Sequence, residues 1–182
     1  ASVNHLLKLR REVQLRVNAS YLNDYQNQEG ETQSLFYFPD DTVRLTETKR
    51  NSLFYNSAQA SFSLLKNTNK NYIENNLILN GFRDSQRGRI GTAGLNIEQH
   101  LNNPFYAISN QLEAIRPVGL QLVSFSSAIA FSSTPQRLQV SPGQFMELLS
   151  NGAPYDGLEQ EINLTSLYTH HTASIARGIK RW

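Results

Sequence analysis

The chain has 182 residues, a length that suits one ordinary domain or about eight to ten membrane-crossing strands, but not a barrel of about 22 strands. Its 17 Lys and Arg residues nearly balance its 15 Asp and Glu residues without a long run of one sign, so no nucleic-acid partner is expected. The lack of cysteine excludes disulfides, zinc sites with thiolate ligands and thiol catalysis.

The first clear pattern begins at Val13 and has a period of two residues. The apolar parity is Val13, Leu15, Val17, Ala19 and Tyr21, and the polar parity is Gln14, Arg16, Asn18 and Ser20. Such alternation predicts a strand over residues 13–25 with one apolar face and one hydrogen-bonding face.

Shorter elements are predicted next. Residues 26–33 are rich in Gln, Asn, Glu and Gly and predict a loop. Strands are predicted over residues 34–38 and 42–48, separated by a turn at Pro39-Asp40-Asp41.

A second long alternation covers residues 54–65. Its apolar parity runs from Phe54 to Leu64, with Asn56 as the one polar interruption. The polar cluster at 66–70 predicts a turn because Asn tolerates positive φ, and residues 72–83 predict the partner strand of a hairpin.

The remaining strands are predicted over residues 107–115, 119–133, 137–140 and 162–172, after a glycine-rich loop over 84–92. In the segment 119–133, Val123, Phe125, Ile129 and Phe131 lie opposite small or apolar residues, so the pattern leaves its orientation open.

One segment breaks the strand pattern and predicts a short helix over residues 142–150. Ser141 is a suitable N-cap, Pro142 suits the first helical position, and Gln144 completes a capping box. Asn151-Gly152 supplies a left-handed stop.

Strand length favours a membrane protein. Strands of a soluble sandwich usually have about five or six residues, whereas several of these alternations are twice as long, as tilted membrane strands must be. The mean hydropathy of −0.46 is compatible with this because half of each barrel strand faces water. The predicted fold class is therefore all-β, an antiparallel meander of long strands that forms an outer-membrane β-barrel or a segment of one.

Four stretches resemble barrel strands of TonB-dependent receptors of the Bacteroidetes type. They are SVNHLLKL at 2–9, VNASYLND at 17–24, NYIENNLILNGF at 71–82 and NPFYAISN at 103–110. The resemblance covers most of the chain and implies energised uptake of scarce nutrients across the outer membrane of a Gram-negative bacterium, without indicating the ligand.

In such receptors a plug domain with an energy-coupling box precedes the barrel, and nothing in residues 1–182 resembles either. The resemblance therefore implies one unit of barrel wall. Its expected partners are outer-membrane lipid, the remainder of the barrel with its plug, and a small nutrient ligand. We expect no enzymatic activity and no cofactor.

The chemical motifs of the sequence are weak. His170 and His171 are adjacent on a predicted strand, so they point to opposite faces and are not expected to share a metal ion. No Gly-x-Ser-x-Gly nucleophile motif occurs. The carboxylate pairs Asp40/Asp41 and Glu29/Glu31 lie in predicted turns and are interpreted as turn residues.

Arg83, Arg87 and Arg89 form a small basic cluster around the predicted 84–92 loop. At the outer rim of a barrel they would meet lipopolysaccharide phosphates or an anionic ligand, and the alternative is a solvated loop. They are the only binding residues that the sequence predicts.

Two other functions remain open at this stage. One is a soluble or surface-attached β-sandwich that binds a ligand such as a glycan stacked on exposed tyrosines. The other is a complete small outer-membrane barrel of eight to ten strands with an adhesive or structural role.

Overall fold

A computed structural model of the chain describes residues 1–9, 12–68, 70–92, 94–142, 151 and 156–177. Seven antiparallel strands form one sheet in sequence order. They are β1 (Ser2–Lys8), β2 (Val13–Phe38), β3 (Asp41–Asn67), β4 (Tyr72–Thr92), β5 (Leu95–Val118), β6 (Gln121–Val140) and β7 (Leu158–Arg177). The predicted all-β meander of long strands is confirmed.

The connections lie alternately at two ends of the sheet. We call the end with the β1–β2, β3–β4 and β5–β6 connections the near end, and the opposite end the far end. Two-residue turns join β2 to β3 at Pro39-Asp40 and β5 to β6 at Gly119-Leu120. Gly119 has a φ of 63°, which glycine adopts without steric cost. The predicted turn after residue 66 is also present, since β3 ends at Asn67 and β4 begins at Tyr72.

Strand lengths are the main correction to the sequence interpretation. The predicted loops at 26–33 and 84–92 are wrong, because both segments are paired strand in β2 and β4. The segment 137–140 is the end of β6 and not a separate strand, and 34–38 continues β2. Backbone hydrogen bonds hold these polar segments extended, to β3 for residues 26–33 and to both β3 and β5 for residues 84–92. Side-chain patterns do not record such bonds.

The predicted helix over 142–150 lies almost wholly outside the described residues. At its edge, the Ser141 hydroxyl accepts a hydrogen bond from the Glu98 amide at 2.7 Å, so it continues the β5–β6 pairing. Asn151 has a φ of 52°, in the left-handed region expected for it.

The sheet has two chemically different faces. Face 1 carries the odd-numbered residues of β1, β2, β4, β6 and β7 and the even-numbered residues of β3 and β5, as the strand register requires. Face 2 carries the others. On β4 the exposed residues are Leu79, Arg83, Arg87 and Arg89, all on face 1, so face 1 is the more open side.

No second layer covers either face within the described residues, which contain no buried hydrophobic core. The chain exposes 14151 Å² of surface. A compact protein of 20.6 kDa exposes about 8,900 Å² by the usual scaling with mass. The described strands thus form a single open sheet and not the two packed sheets of a sandwich. Among the described residues, no helix has the length and apolar character needed to cross a membrane.

Candidate functional site

A continuous apolar surface covers the near-end half of face 1. We call it the apolar band, and it consists of the apolar face-1 side chains within residues 13–25, 54–64, 73–79, 106–114, 123–131 and 167–175. One row of directly opposed residues crosses four strands as Leu79, Ile108, Phe131 and Leu167. Their exposed fractions are 37%, 44%, 41% and 69%. A patch of this extent is unusual on a monomer that meets only water.

The apolar band runs obliquely across the strands. Its far-end limit is the aromatic pair Tyr25–Phe54 on β2 and β3, with ring centroids 4.6 Å apart. On β6 and β7 the limit is the pair Phe131–Leu167. The register places this pair in the same row as Ala60 on β3, which lies six residues from Phe54 toward the near end.

This offset gives an inclination for the band. Six residues correspond to about 20 Å along a strand, and the four strand spacings between the two pairs to about 19 Å. The far-end limit is therefore inclined by about 45° to the rows. The near-end limit moves in the same direction by two residues, since the row of Val13 contains Phe125 on β6 and the limit there is Val123. Strands of membrane barrels are tilted by about 35–45°, which inclines their apolar girdle in this way.

Polar side chains inside the apolar band occur in pairs across neighbouring strands. Asn56, the interruption seen in the sequence, accepts hydrogen bonds from Asn23 and, at 3.1 Å, from the Tyr21 hydroxyl. Asn75 donates to Asn110 at 2.9 Å, and Ser127 contacts His171 Nδ1 at 2.9 Å. Each pair satisfies polar groups that would otherwise be costly in an apolar medium.

Face 2 is polar opposite the apolar band. One row there contains Arg16, Ser63, Asn76 and Gln111. Asn18 on the same face donates a hydrogen bond to Ser61 at 2.9 Å. Most polar side chains of the near-end half therefore lie on face 2, together with the apolar residues Leu22, Leu65, Ile78, Leu122 and Tyr168.

The polarity of the two faces changes toward the far end, where face 2 carries a cluster of three aromatic side chains. Tyr55, Phe82 and Phe105 lie on three adjacent strands, with ring centroids 5.9 Å and 5.1 Å apart. Sequence reasoning did not find this aromatic cluster, because the three residues meet only through the register of β3, β4 and β5. These residues are 27 and 23 positions apart in the chain and share no local pattern.

The predicted basic residues Arg83, Arg87 and Arg89 all lie on β4 and all project from face 1. They stand on strand and not on the predicted loop. The register adds Arg50, which lies directly opposite Arg89 and was not found from the sequence. These four residues, which we call the arginine cluster, begin where the apolar band ends on β4.

Only part of the arginine cluster is neutralised by carboxylates. Arg50 lies 3.5 Å from Glu29, and Arg89 is paired with Glu98, so the row Glu29–Arg50–Arg89–Glu98 has no net charge. Across the described part of the chain, no acidic group lies within 4.0 Å of Arg83 or Arg87. Arg83 instead donates to the Asn102 side chain at 3.0 Å.

A shallow groove of about 590 Å³ lies beside Arg87 on face 1. Its lining includes Arg50, Arg89, His100 and Gln139. His100 is directly opposite Arg87 on β5, and its Nε2 lies 3.5 Å from the Ser85 hydroxyl. The Glu98 carboxylate also lines the groove and pairs with Arg89, so Arg87 is the arginine there with no carboxylate partner among the described residues.

The weaker sequence motifs have different outcomes. His170 and His171 project from opposite faces, as predicted. Asp41 accepts a hydrogen bond from the Thr42 amide at 2.7 Å beside the Pro39-Asp40 turn, in agreement with a turn role. Glu29 and Glu31, however, lie on β2 and not in a turn. Where the structure describes the chain, no three metal-ligating side chains come together.

Comparison of the sequence with protein-family models gave no match. A search of curated proteins likewise found none.

Proposed function

We propose that this chain forms part of the wall of an outer-membrane β-barrel, in a TonB-dependent receptor that takes up nutrients in a Gram-negative bacterium. The carrying observation is the inclined, exposed apolar band on face 1, backed by a polar face 2. In this arrangement face 1 meets lipid and face 2 lines an aqueous lumen.

The open sheet edges support a place within a larger barrel. β1 and β7 are the two edges, and in the described sheet they pair with β2 and β6 alone. Free edges expose unpaired backbone groups, which cannot be left unsatisfied in a bilayer. Strands from the remainder of the barrel are the proposed partners of both edges, and a plug domain is the proposed occupant of the lumen.

Assignment to TonB-dependent receptors rests on the sequence resemblance. The four resembling stretches now fall on or next to β1, β2, β4 and β5. The transported molecule is a small nutrient whose chemistry the barrel wall does not specify.

Membrane placement is tested by fractionation of the native protein. It should be recovered in outer membranes, require detergent for extraction, and migrate faster on a denaturing gel without boiling than with it. A protein that is monodisperse in plain buffer would refute the barrel.

The receptor role requires a separate experiment. A strain lacking the gene should grow poorly when one glycan, peptide or metal chelate is the limiting nutrient, and an uncoupler should abolish uptake of that nutrient in the parent strain. Equal growth of both strains on all three nutrient classes would argue against nutrient uptake while leaving the barrel intact.

A further inference from the structure

We propose that Arg83, Ser85, Arg87 and His100 bind the phosphate groups of a glycolipid in the outer leaflet. Barrels have short periplasmic turns and longer extracellular extensions, so the far end, where β2, β3 and β4 continue beyond the apolar band, would face the cell exterior. The inference rests on the proposed membrane barrel, and it adds a lipid-binding site to it. The four side chains share face 1, and Ser85 stands between the two arginines on β4.

Position relative to the apolar band is the first argument. Its inclined far-end limit, drawn from Tyr25–Phe54 to Phe131–Leu167, crosses β4 near Arg83. Arg87 lies four residues further, which is about 13 Å along the strand and about 9 Å in depth at a tilt of about 45°. Lipid phosphates lie in the polar layer just outside the hydrocarbon, within reach of both guanidinium groups.

Charge is the second argument. Arg50 and Arg89 have carboxylate partners, whereas Arg83 and Arg87 have none among the described residues. The two unneutralised arginines are the ones nearest the band. Arginine binds phosphate with charge-assisted, frequently bidentate hydrogen bonds, and the hydroxyl of Ser85 and the ring of His100 add further donors.

The apolar neighbours of the site favour a lipid over a free anion. Ser85 lies directly opposite Phe54, which packs against Tyr25. A phosphate held by Arg83 and Arg87 would therefore lie beside an aromatic surface suited to the acyl chains or sugar ring of the same molecule. A free phosphate would make no use of that surface.

Binding of diphosphoryl lipid A to the full-length, detergent-solubilised protein would be measured by titration under native mass spectrometry. The double variant Arg83→Gln/Arg87→Gln should bind lipid A about 100-fold more weakly, because each lost charge-assisted contact should reduce the affinity about tenfold. The control Arg137→Gln lies on the same face in the row of Ser85, but Arg137 is already paired with Glu159 and Glu161. The affinity of this control variant for diphosphoryl lipid A should fall by less than about threefold.

Other probes distinguish the sources of phosphate. Lipid A without phosphates should bind the wild type as weakly as the double variant binds diphosphoryl lipid A. Equal affinity for phosphatidylglycerol, or full competition by inorganic phosphate at millimolar concentration, would overturn the glycolipid assignment. Raising the salt should weaken wild-type binding more than variant binding.

Failure of this inference is separable from failure of the barrel. A double variant that still migrates as a folded barrel and binds lipid A within threefold of wild type would refute the site alone. A wild-type protein that needs no detergent would refute the barrel and the site together.

Discussion

Val17 and Asn18 are neighbours in the chain, but their side chains lie on opposite faces of the sheet. Val17 faces Phe62 and, beyond it, Leu77 in the apolar band, while Asn18 bonds to Ser61 on face 2. If face 1 meets lipid as proposed, the same introduced residue should have very different effects at the two positions, because one side chain would enter lipid and the other would enter water.

We expect Val17→Arg to cost about 2–4 kcal/mol of barrel stability, since arginine near the bilayer midplane is desolvated. Asn18→Arg should cost no more than about 1 kcal/mol, the value of one lost hydrogen bond, because Arg16 already occupies that face. The measurement is the folded fraction in outer membranes by heat-modifiable migration. Equal damage at both positions, or greater damage at Asn18, would show that face 1 does not meet lipid.

The paired amides of Asn23 and Asn56 are a second feature at the residue scale. Removing Asn56 alone leaves both Asn23 and the Tyr21 hydroxyl without their acceptor, whereas removing both amides leaves only the Tyr21 hydroxyl without one. Asn56→Ala should therefore destabilise the barrel by about 1–3 kcal/mol, and Asn23→Ala/Asn56→Ala should be less destabilised than the sum of the single variants.

The test of this coupling is a double-mutant cycle by urea unfolding in lipid vesicles. Ser52 and Asn27, which are hydrogen-bonded beyond the band, provide the control pair. Their cycle should show a smaller coupling because water replaces the lost partner. Strict additivity at Asn23 and Asn56 would mean that these amides are hydrated.

At the scale of the strands, the sequence predicts the strands of the apolar band and, beyond it, the segments 34–38 and 42–48, but it misses the strand segments 26–33 and 84–92. Residues 13–25 and 54–65 alternate in polarity, and they and residues 72–83 all lie in strands as predicted. The proposed barrel would account for the alternation, because lipid and water would contact opposite faces. The register also resolves the orientation of β6, placing Phe125 and Phe131 on face 1.

The far-end extensions were missed for a physical reason. Residues 26–33 and 84–92 have polar or glycine residues on both faces, so no period of two is visible. Their extended form depends on ladder hydrogen bonds to neighbouring strands. For the same reason the sequence found Arg83, Arg87 and Arg89 but not Arg50, whose position beside Arg89 depends on pairing between β3 and β4.

A shortened β2–β3 hairpin tests whether the far-end extension is dispensable for membrane insertion. Replacing residues 30–49 with Asn-Gly keeps the facing pair Glu29 and Arg50 and supplies a favourable two-residue turn. Because no residue of the apolar band is removed, we expect folded protein within about twofold of wild type in outer membranes.

The matched control shortens the same hairpin inside the band. Deleting residues 15–18 and 61–64 keeps the β2–β3 pairing and the face of every remaining residue of the hairpin. It removes about 13 Å of apolar strand, which also pairs with β1 and β4. This variant should not accumulate as folded barrel. Loss of folding in the first deletion, with retention in the second, would place the membrane at the far end.

At the scale of the whole molecule, the inclined apolar band predicts how the sheet would sit in a bilayer if the proposed barrel forms. Rows of opposed residues do not lie at one depth if the strands are tilted. Leu167 shares its row with Ala60, yet it should lie at the depth of Phe54, six residues away along β3. This expectation distinguishes a tilted barrel strand from an upright one.

Single tryptophans at these three positions would measure the depths, in a Trp182→Phe background that removes the one native tryptophan of the chain. At a tilt of about 45°, Ala60→Trp should lie about 14 Å deeper than Phe54→Trp, because about 20 Å of strand separates the two positions. Leu167→Trp should match Phe54→Trp. Quenching by lipids brominated at different acyl positions reports each depth, and aqueous iodide should quench a face-2 control, Ser132→Trp, instead. If Leu167→Trp had the same depth as Ala60→Trp, the rows would lie parallel to the membrane. The inclined limits of the apolar band would then not correspond to the boundary of a bilayer.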